Sequence, residues 1–266
     1  VSAFESRIRK EDWPRYECRV ERNTERLLAL FAEHGVVGTF FILGWVAERY
    51  PELVRRIAEQ GHEVASHGWD HTRVVAQDRE QFRRDVTDTK KVLEDATGIP
   101  VRGFRAASFS IGRDNLWALE VLREQGYVYS SSIYPVSHDL YGMPEAPRTP
   151  FRTSDAAVLE IPLSTLRLFG RNLPVSGGGY FRLLPYPLSR LAIRRANQGD
   201  GLSTIFYFHP WEVDPDQPRV PDVSLKTRFR HYLNLPRTEG RLRRLLSDFP
   251  WGRMDEVFAD HIGAEG

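Results

Sequence analysis

The sequence holds a single cysteine, Cys18, and no apolar run near the roughly 20 residues that cross a bilayer. One cysteine excludes an internal disulfide framework and any multi-cysteine zinc site. Cys18 itself reads as a packed or neutral residue rather than a nucleophile. A dominant charge is also missing: 37 Lys and Arg stand against 36 Asp and Glu, a formal net charge of +1. No global field then favours nucleic acid or an anionic membrane surface as partner. The arginine clusters at Arg190–Arg195 and Arg237–Arg244 fall in helical patterns and read as solvated helix faces. No signal peptide, internal repeat or low-complexity segment stands out, and the chain opens on Val1 rather than methionine.

What remains is an ordinary globular composition, 41% hydrophobic and 27% charged, over 266 residues that suit one α/β domain. Val36–Leu43 is a β-branched and aromatic run expected to form a buried strand. Pro51 opens a helix that Gly61 stops, and Glu63–Ser66 reads as a short strand. Asp78 and Gln81 make a capping pair for a helix with Phe82, Val86, Leu93 and Ala96 on one face, ending at Gly98. Strands are expected at Val101–Arg105, Tyr127–Ser131, Val158–Ile161 and Ser203–Phe208, with a last one around Met254–Phe258. Helices are expected at Asp114–Gln125, near Pro187–Asn197 and near Thr238–Phe249. Strands separated by helices pair in parallel through crossover connections. The Pro- and Gly-rich stretches Pro135–Pro150 and Pro210–Pro221 follow strands and read as loops, where barrel enzymes place their active sites.

Four stretches could carry chemistry. His67-Gly68-Trp69-Asp70-His71 sets two imidazoles four residues apart in a loop that Gly68 and Asp70 favour, and two such rings can meet one metal ion. Taken alone, they are equally two polar loop histidines. His209 ends an apolar run and precedes Pro210, so an acid–base group arrives at a strand terminus. A histidine satisfied by a backbone partner is the plain alternative. Trp211 beside it is either core or an indole surface for sugar rings. Arg105, in Arg105-Ala106-Ala107-Ser108, could orient a carboxylate bidentately, or could be a surface arginine. Gly177-Gly178-Gly179-Tyr180-Phe181-Arg182 lacks the lysine of a phosphate loop and reads as a flexible turn.

A histidine pair after an early strand comes first in this order. An Arg-x-x-Ser stretch, a Tyr-x-x-Ser-Ser-like segment and a late run ending in histidine follow it. Together they resemble the NodB-type polysaccharide deacetylases, carbohydrate esterase family 4. The resemblance runs from about Val1 to Phe258. Val1-Ser2-Ala3-Phe4-Glu5, Gly178–Arg182, Phe208–Glu212 and Trp251–Phe258 look like the branch tied to exosortase and exopolysaccharide loci. It implies an α/β fold, a distorted (β/α) barrel, with residues 1–266 as one NodB homology domain. It also implies a divalent metal, usually zinc, held by an aspartate with His67 and His71. In the implied reaction an N-acetyl group leaves an amino-sugar polysaccharide or oligosaccharide. Arg105 would position the catalytic aspartate, the Ser108 N–H would help hold the oxyanion, and His209 would protonate the departing amine. Trp211 and Tyr180 would face the sugar.

The chain departs from the family pattern in three ways. The family's Asp-x-Glu-Asp motif, with the catalytic base and third metal ligand, would fall just before Val1. The chain is therefore read as lacking the first strand and first motif. Ala107 stands where the family has proline, and Ser130 where it often has aspartate. Two other readings accordingly stay open: a related barrel hydrolysing small cyclic amides or ureides, and a degenerate carbohydrate-binding relative without activity. The branch's usual lack of a signal peptide implies a cytoplasmic location.

Overall fold

Short apolar strands and longer amphipathic helices alternate along the first 160 residues, and in the computed structural model they build an α/β fold around a parallel sheet. The structure describes residues 4–5, 7–138, 141–175 and 177–263. Val1, Ser2 and Ala3 of the N-terminal motif, and residues 139–140 of the Pro135–Pro150 loop, lie outside the described residues. In chain order the early elements are α1 (Val20–Glu33), β1 (Thr39–Ile42), α2 (Gly44–Arg49), α3 (Pro51–Glu59), β2 (Glu63–Ser66) and α4 (Arg79–Thr97). Next come β3 (Gly103–Phe104), α5 (Trp117–Glu124), β4 (Tyr129–Ser130), β5 (Leu159–Glu160), β6 (Thr165–Leu168) and β7 (Arg171–Pro174). The later helices are α6 (Gly178–Leu183), α7 (Tyr186–Arg194), α8 (Leu225–Tyr232) and α9 (Leu235–Asp248). No described helix is long and apolar enough to cross a membrane.

The chain divides into two compact units, one of Val37–Leu173 with Gly252–Gly266, the other of Val1–Val36 with Pro174–Trp251. The first contains the five-stranded sheet, in order β1-β2-β3-β4-β5, every pair parallel. Parallel pairing in sequential order requires a crossover between successive strands, made by helices up to β4 and by the segment 131–158 between β4 and β5. α4 is held at its start by a reciprocal cap. Gln81 N–H donates to Asp78 Oδ1 at 2.8 Å, and Asp78 N–H donates to Gln81 Oε1 at 2.9 Å. Gly98, in the left-handed region, stops it. Phe82, Val86, Leu93 and Ala96 of α4 are all buried, as their spacing requires. Phe82 meets Phe104 and Trp117 edge-on, with centroids 5.6 and 5.8 Å apart, and so ties α4 to β3 and α5.

The second unit is helical. α1 buries Leu27, Leu28, Leu30 and Phe31, while Asp214 draws its N-terminus in. Asp214 Oδ2 accepts from Arg19 at 3.0 Å, Arg22 at 3.1 Å and Asn23 at 3.1 Å.

Several local expectations are corrected. Ser203–Phe208 forms no ladder, because apolar β-branched sequence becomes a strand only with a partner edge. Its carbonyl at Tyr207 accepts instead from Gly178 N–H at 2.9 Å. Met254–Val257 is a helical turn, not a strand, with Met254 N–H donating to Thr39 Oγ1 at 2.8 Å. The triple-glycine stretch starts α6 rather than forming a loose turn. Cys18 is exposed, not packed. The strands are also shorter than expected, since the ladder stops where neighbouring chains diverge.

Phe82 supports a direct stability test. Phe82→Ala should cost about 3–5 kcal/mol, read as a lower urea midpoint at unchanged m-value. A loss below about 1 kcal/mol would show that the ring is not the joint between α4, β3 and α5.

Candidate active site

Each strand of a parallel ladder ends beside its neighbour's end, so the residues just after β2, β3 and β4 lie next to one another. The backbone shows this as a staircase. His67 N–H donates to Ile42 O, Arg105 N–H to Ser66 O, Ser131 N–H to Phe104 O and Ile161 N–H to Ser130 O, at 2.9, 2.9, 2.9 and 2.7 Å. The carboxyl ends of parallel strands are where α/β enzymes carry their chemistry.

His67 leaves β2 half-buried, and its Nδ1–H donates to the Arg105 carbonyl at 2.7 Å. That bond fixes the tautomer and leaves Nε2 as the coordinating nitrogen. His71 sits with its ring centroid 5.1 Å from that of His67, nearly edge-on at 79°. Between them the chain turns sharply. Gly68 has φ +73° and His71 φ +65°, a conformation that a histidine adopts at a cost of about 1–3 kcal/mol when its surroundings impose it. The imposing group is Asp85 of α4, whose Oδ1 accepts Trp69 N–H at 2.6 Å. Gln77 Nε2 donates to its other oxygen at 3.1 Å. Burial raises the Asp85 pKa above the usual carboxylate range, against these donors. A Cβ on Gly68 would stand 3.2 Å from that carboxylate, so both conformation and space call for glycine.

Arg105 is buried. Its Nε donates to Ser131 O at 3.0 Å and its Nη2 to Ser131 Oγ at 2.9 Å, and the guanidinium lies 4.1 Å over the Phe41 ring. It joins the loops after β3 and β4. Ala107–Phe109 form a 3-10 turn in which Ser108 has φ +52°. Ser130 and Ser132 are buried together. Ser130 Oγ donates to Ser132 Oγ at 2.8 Å, and Ser132 Oγ accepts Ala106 N–H at 2.9 Å.

Sequence reasoning missed Glu160, at the end of β5 and 0% exposed. Its Oε1 accepts the N–H groups of Ser132 and Ile133 at 2.8 and 2.7 Å, while Oε2 makes no hydrogen bond. Burial pushes its pKa up to about 7, although the N–H donors and the Arg105 charge favour the ionised form. The signal was weak: a single glutamate in an apolar strand, Val158-Leu159-Glu160-Ile161.

His67 and His71 fit a divalent metal as two of its ligands, one nitrogen oriented by a carbonyl behind it. Among the described residues, no group of three His, Cys, Asp or Glu side chains completes such a centre.

His209, Trp211 and Tyr180 belong to the helical unit. His209 precedes a 3-10 turn, Pro210–Val213, with its side chain 49% exposed and Nδ1 3.1 Å from Glu212 Oε1. Trp211 stacks on His231 at 4.0 Å, and Tyr180 lies exposed on α6. Glu212 was also missed, since nothing in its spacing marks a glutamate three residues on as a partner of the histidine.

Residues 11–130 match the polysaccharide deacetylase family, and residues 131–259 match a domain of unknown function, DUF3473. A chitooligosaccharide deacetylase of Rhizobium leguminosarum bv. trifolii is 37% identical over 86 residues, 32% of this chain and 38% of that protein. A crystal structure of a candidate polysaccharide deacetylase from Mycobacterium smegmatis aligns with TM-score 0.60 at 22% identity, over 91% of this chain and 77% of that one. The PuuE allantoinase aligns with TM-score 0.58 at 15% identity, over 98% of this chain and 74% of that one. Residues 11–130 are thus similar to polysaccharide deacetylases, and the chain shares the α/β fold of these solved structures. The chain spans less than two fifths of the length of the curated relatives first matched.

Glu160 gives the site a pH signature. Its folded pKa of about 7 exceeds the unfolded value near 4.5, so the folded state binds the proton more tightly. Its contribution is fully present below about pH 4.5 and is lost as pH rises through 7. Glu160→Gln keeps an acceptor for both N–H groups and removes the titration. Relative to wild type it should gain up to about 3 kcal/mol of unfolding free energy between pH 4.5 and 8. Parallel stability–pH curves for the two proteins would refute this.

Proposed function

We propose that this chain is a metal-dependent hydrolase that removes N-acetyl groups from an amino-sugar polysaccharide, in cytoplasmic exopolysaccharide biosynthesis. The observation that carries the reading is the placement of His67 and His71 on one strained turn at the carboxyl end of β2, inside the segment that matches deacetylases. The pair would hold a divalent ion, zinc in this reading. When bound, that ion supplies Lewis-acid polarisation of the acetyl carbonyl and an acidified water. The Arg105 carbonyl orients His67, and Asp85 holds the turn between the two rings. Arg105 ties the post-β3 loop in place, so that the Ser108 N–H can serve as an oxyanion donor. His209 delivers a proton to the departing amine. Trp211 and Tyr180 offer apolar faces to sugar rings.

The test is acetate release by the zinc-loaded full-length protein from chito-oligosaccharides and other acetylated glycans, with a cyclic ureide assayed in parallel. Turnover of the glycans alone is expected. His67→Ala and His71→Ala should each weaken zinc binding by at least about 100-fold in a calorimetric titration, more than loss of an outer partner costs. Folded, metal-loaded protein that releases no acetate would overturn the reading. Ureide turnover would then move it to cyclic amides, and inertness toward both would mark a binding relative.

A further inference from the structure

The triple-glycine motif has no role in the reading above, yet the structure leaves it little freedom. A Cβ on Gly178 would fall 2.0–2.3 Å from the carboxylate atoms of Glu212. A Cβ on Gly177 would fall 2.7 Å from the ring of Tyr207. Gly179, by contrast, has open space around it. The backbone of Gly178 is therefore one wall of the Glu212 site, where no side chain can be added without moving the carboxylate, while Gly177 leaves room for the Tyr207 ring. The opposite side is Arg182, four residues along α6, whose Nε donates to Glu212 Oε2 at 2.8 Å. The rest of that guanidinium is committed to the backbone. Nη1 donates to the carbonyls of His231 and Leu233, both at 2.9 Å, and Nη2 to that of Arg230 at 3.2 Å. Arg182 and Glu212 side chains are only 3% and 2% exposed, so this is a fixed, desolvated pair.

Glu212 turns its other oxygen to His209. Oε1 accepts the backbone N–H at 3.0 Å and stands 3.1 Å from ring Nδ1. Burial alone would push the carboxyl pKa up, but His209 and Arg182 outweigh it and hold Glu212 below the usual range, as an acceptor only. A ring nitrogen facing such an acceptor must carry a proton.

We infer that Gly178 and Arg182 form a fitted cradle for Glu212, which makes Glu212 the positioning residue of His209 and Nε2 the nitrogen that meets substrate. This rests on the reading of His209 as the acid of the proposed deacetylation. In that reaction the doubly protonated ring passes its Nε2 proton to the amine nitrogen as the C–N bond breaks. It then remains as the neutral Nδ1–H form, bonded to Glu212. Trp211, stacked on His209 at 5.8 Å and on His231 at 4.0 Å, limits rotation of the ring away from that bond.

Glu212→Gln separates positioning from simple packing. Arg182 and the His209 backbone N–H can both only donate, and the charge-assisted Arg182 bond is the stronger, so the new amide turns its oxygen to Arg182 and its NH₂ to His209. Nδ1 then becomes the acceptor, the proton moves to Nε2, and the doubly protonated ring is no longer accommodated. Long-range ¹H–¹⁵N spectra of the full-length protein, recorded with the ring neutral, read this without substrate. Wild type and Gly179→Ala should show the proton on Nδ1, whereas Glu212→Gln and Gly178→Ala should shift it to Nε2. In acetate release, Glu212→Gln should lower kcat by about 10²-fold or more at little-changed KM. A wild-type proton on Nε2 overturns the inference with no variant needed. So does an Nδ1 proton that persists in folded Glu212→Gln or Gly178→Ala. Failure of the deacetylase reading would leave the tautomer result standing, so the two are distinguishable.

Discussion

The candidate site in the sheet-bearing unit depends on the staircase of backbone hydrogen bonds at the carboxyl ends of β1 to β5. Each step uses the last carbonyl of one strand to fix the first loop residue of the next, so His67, Arg105 and Ser131 are aligned before any side chain interacts. Side chains then lock the steps together: His67 to the Arg105 carbonyl, Arg105 to Ser131, and Ala106 to Ser132. A change of register in β3 would break all three contacts. Strained residues such as His71 and Ser108 persist because this frame over-determines them.

Buried acids in the protein are treated in opposite ways. Glu160 has two backbone donors and one oxygen without a bond, and burial wins, raising its pKa into the neutral range. Glu212 and Asp214 are also buried, but arginine donors reach both, and both are held below the usual carboxylate range. The difference lies in the partners. A buried carboxylate stays ionised when a cation bonds it directly and tends to take a proton when only neutral donors do.

Much of this was legible in the order of residues. The Asp78/Gln81 cap, the buried face of α4, the strand Glu63–Ser66 and the alternation that demands a parallel sheet all follow from short-range chemistry. So did the turn that carries His67 and His71, marked by Gly68. The unread parts share a cause. Ser203–Phe208 has strand composition but no ladder, and Met254–Val257 is a helical turn whose first N–H is taken by Thr39. Their states depend on partners far away in sequence, and composition carries no record of those.

The sequence by itself determined the cap and buried face of α4 and marked His67, His71 and His209 as candidates, because caps, glycines and periodicity act over a few residues. Only the tertiary structure decided how those imidazoles are oriented. It placed a carbonyl behind His67, the Asp85 carboxylate under its turn, and Glu212 against His209 in a space that Gly178 keeps open. Orientation is a property of distances between elements, and those distances exist only once the chain has packed.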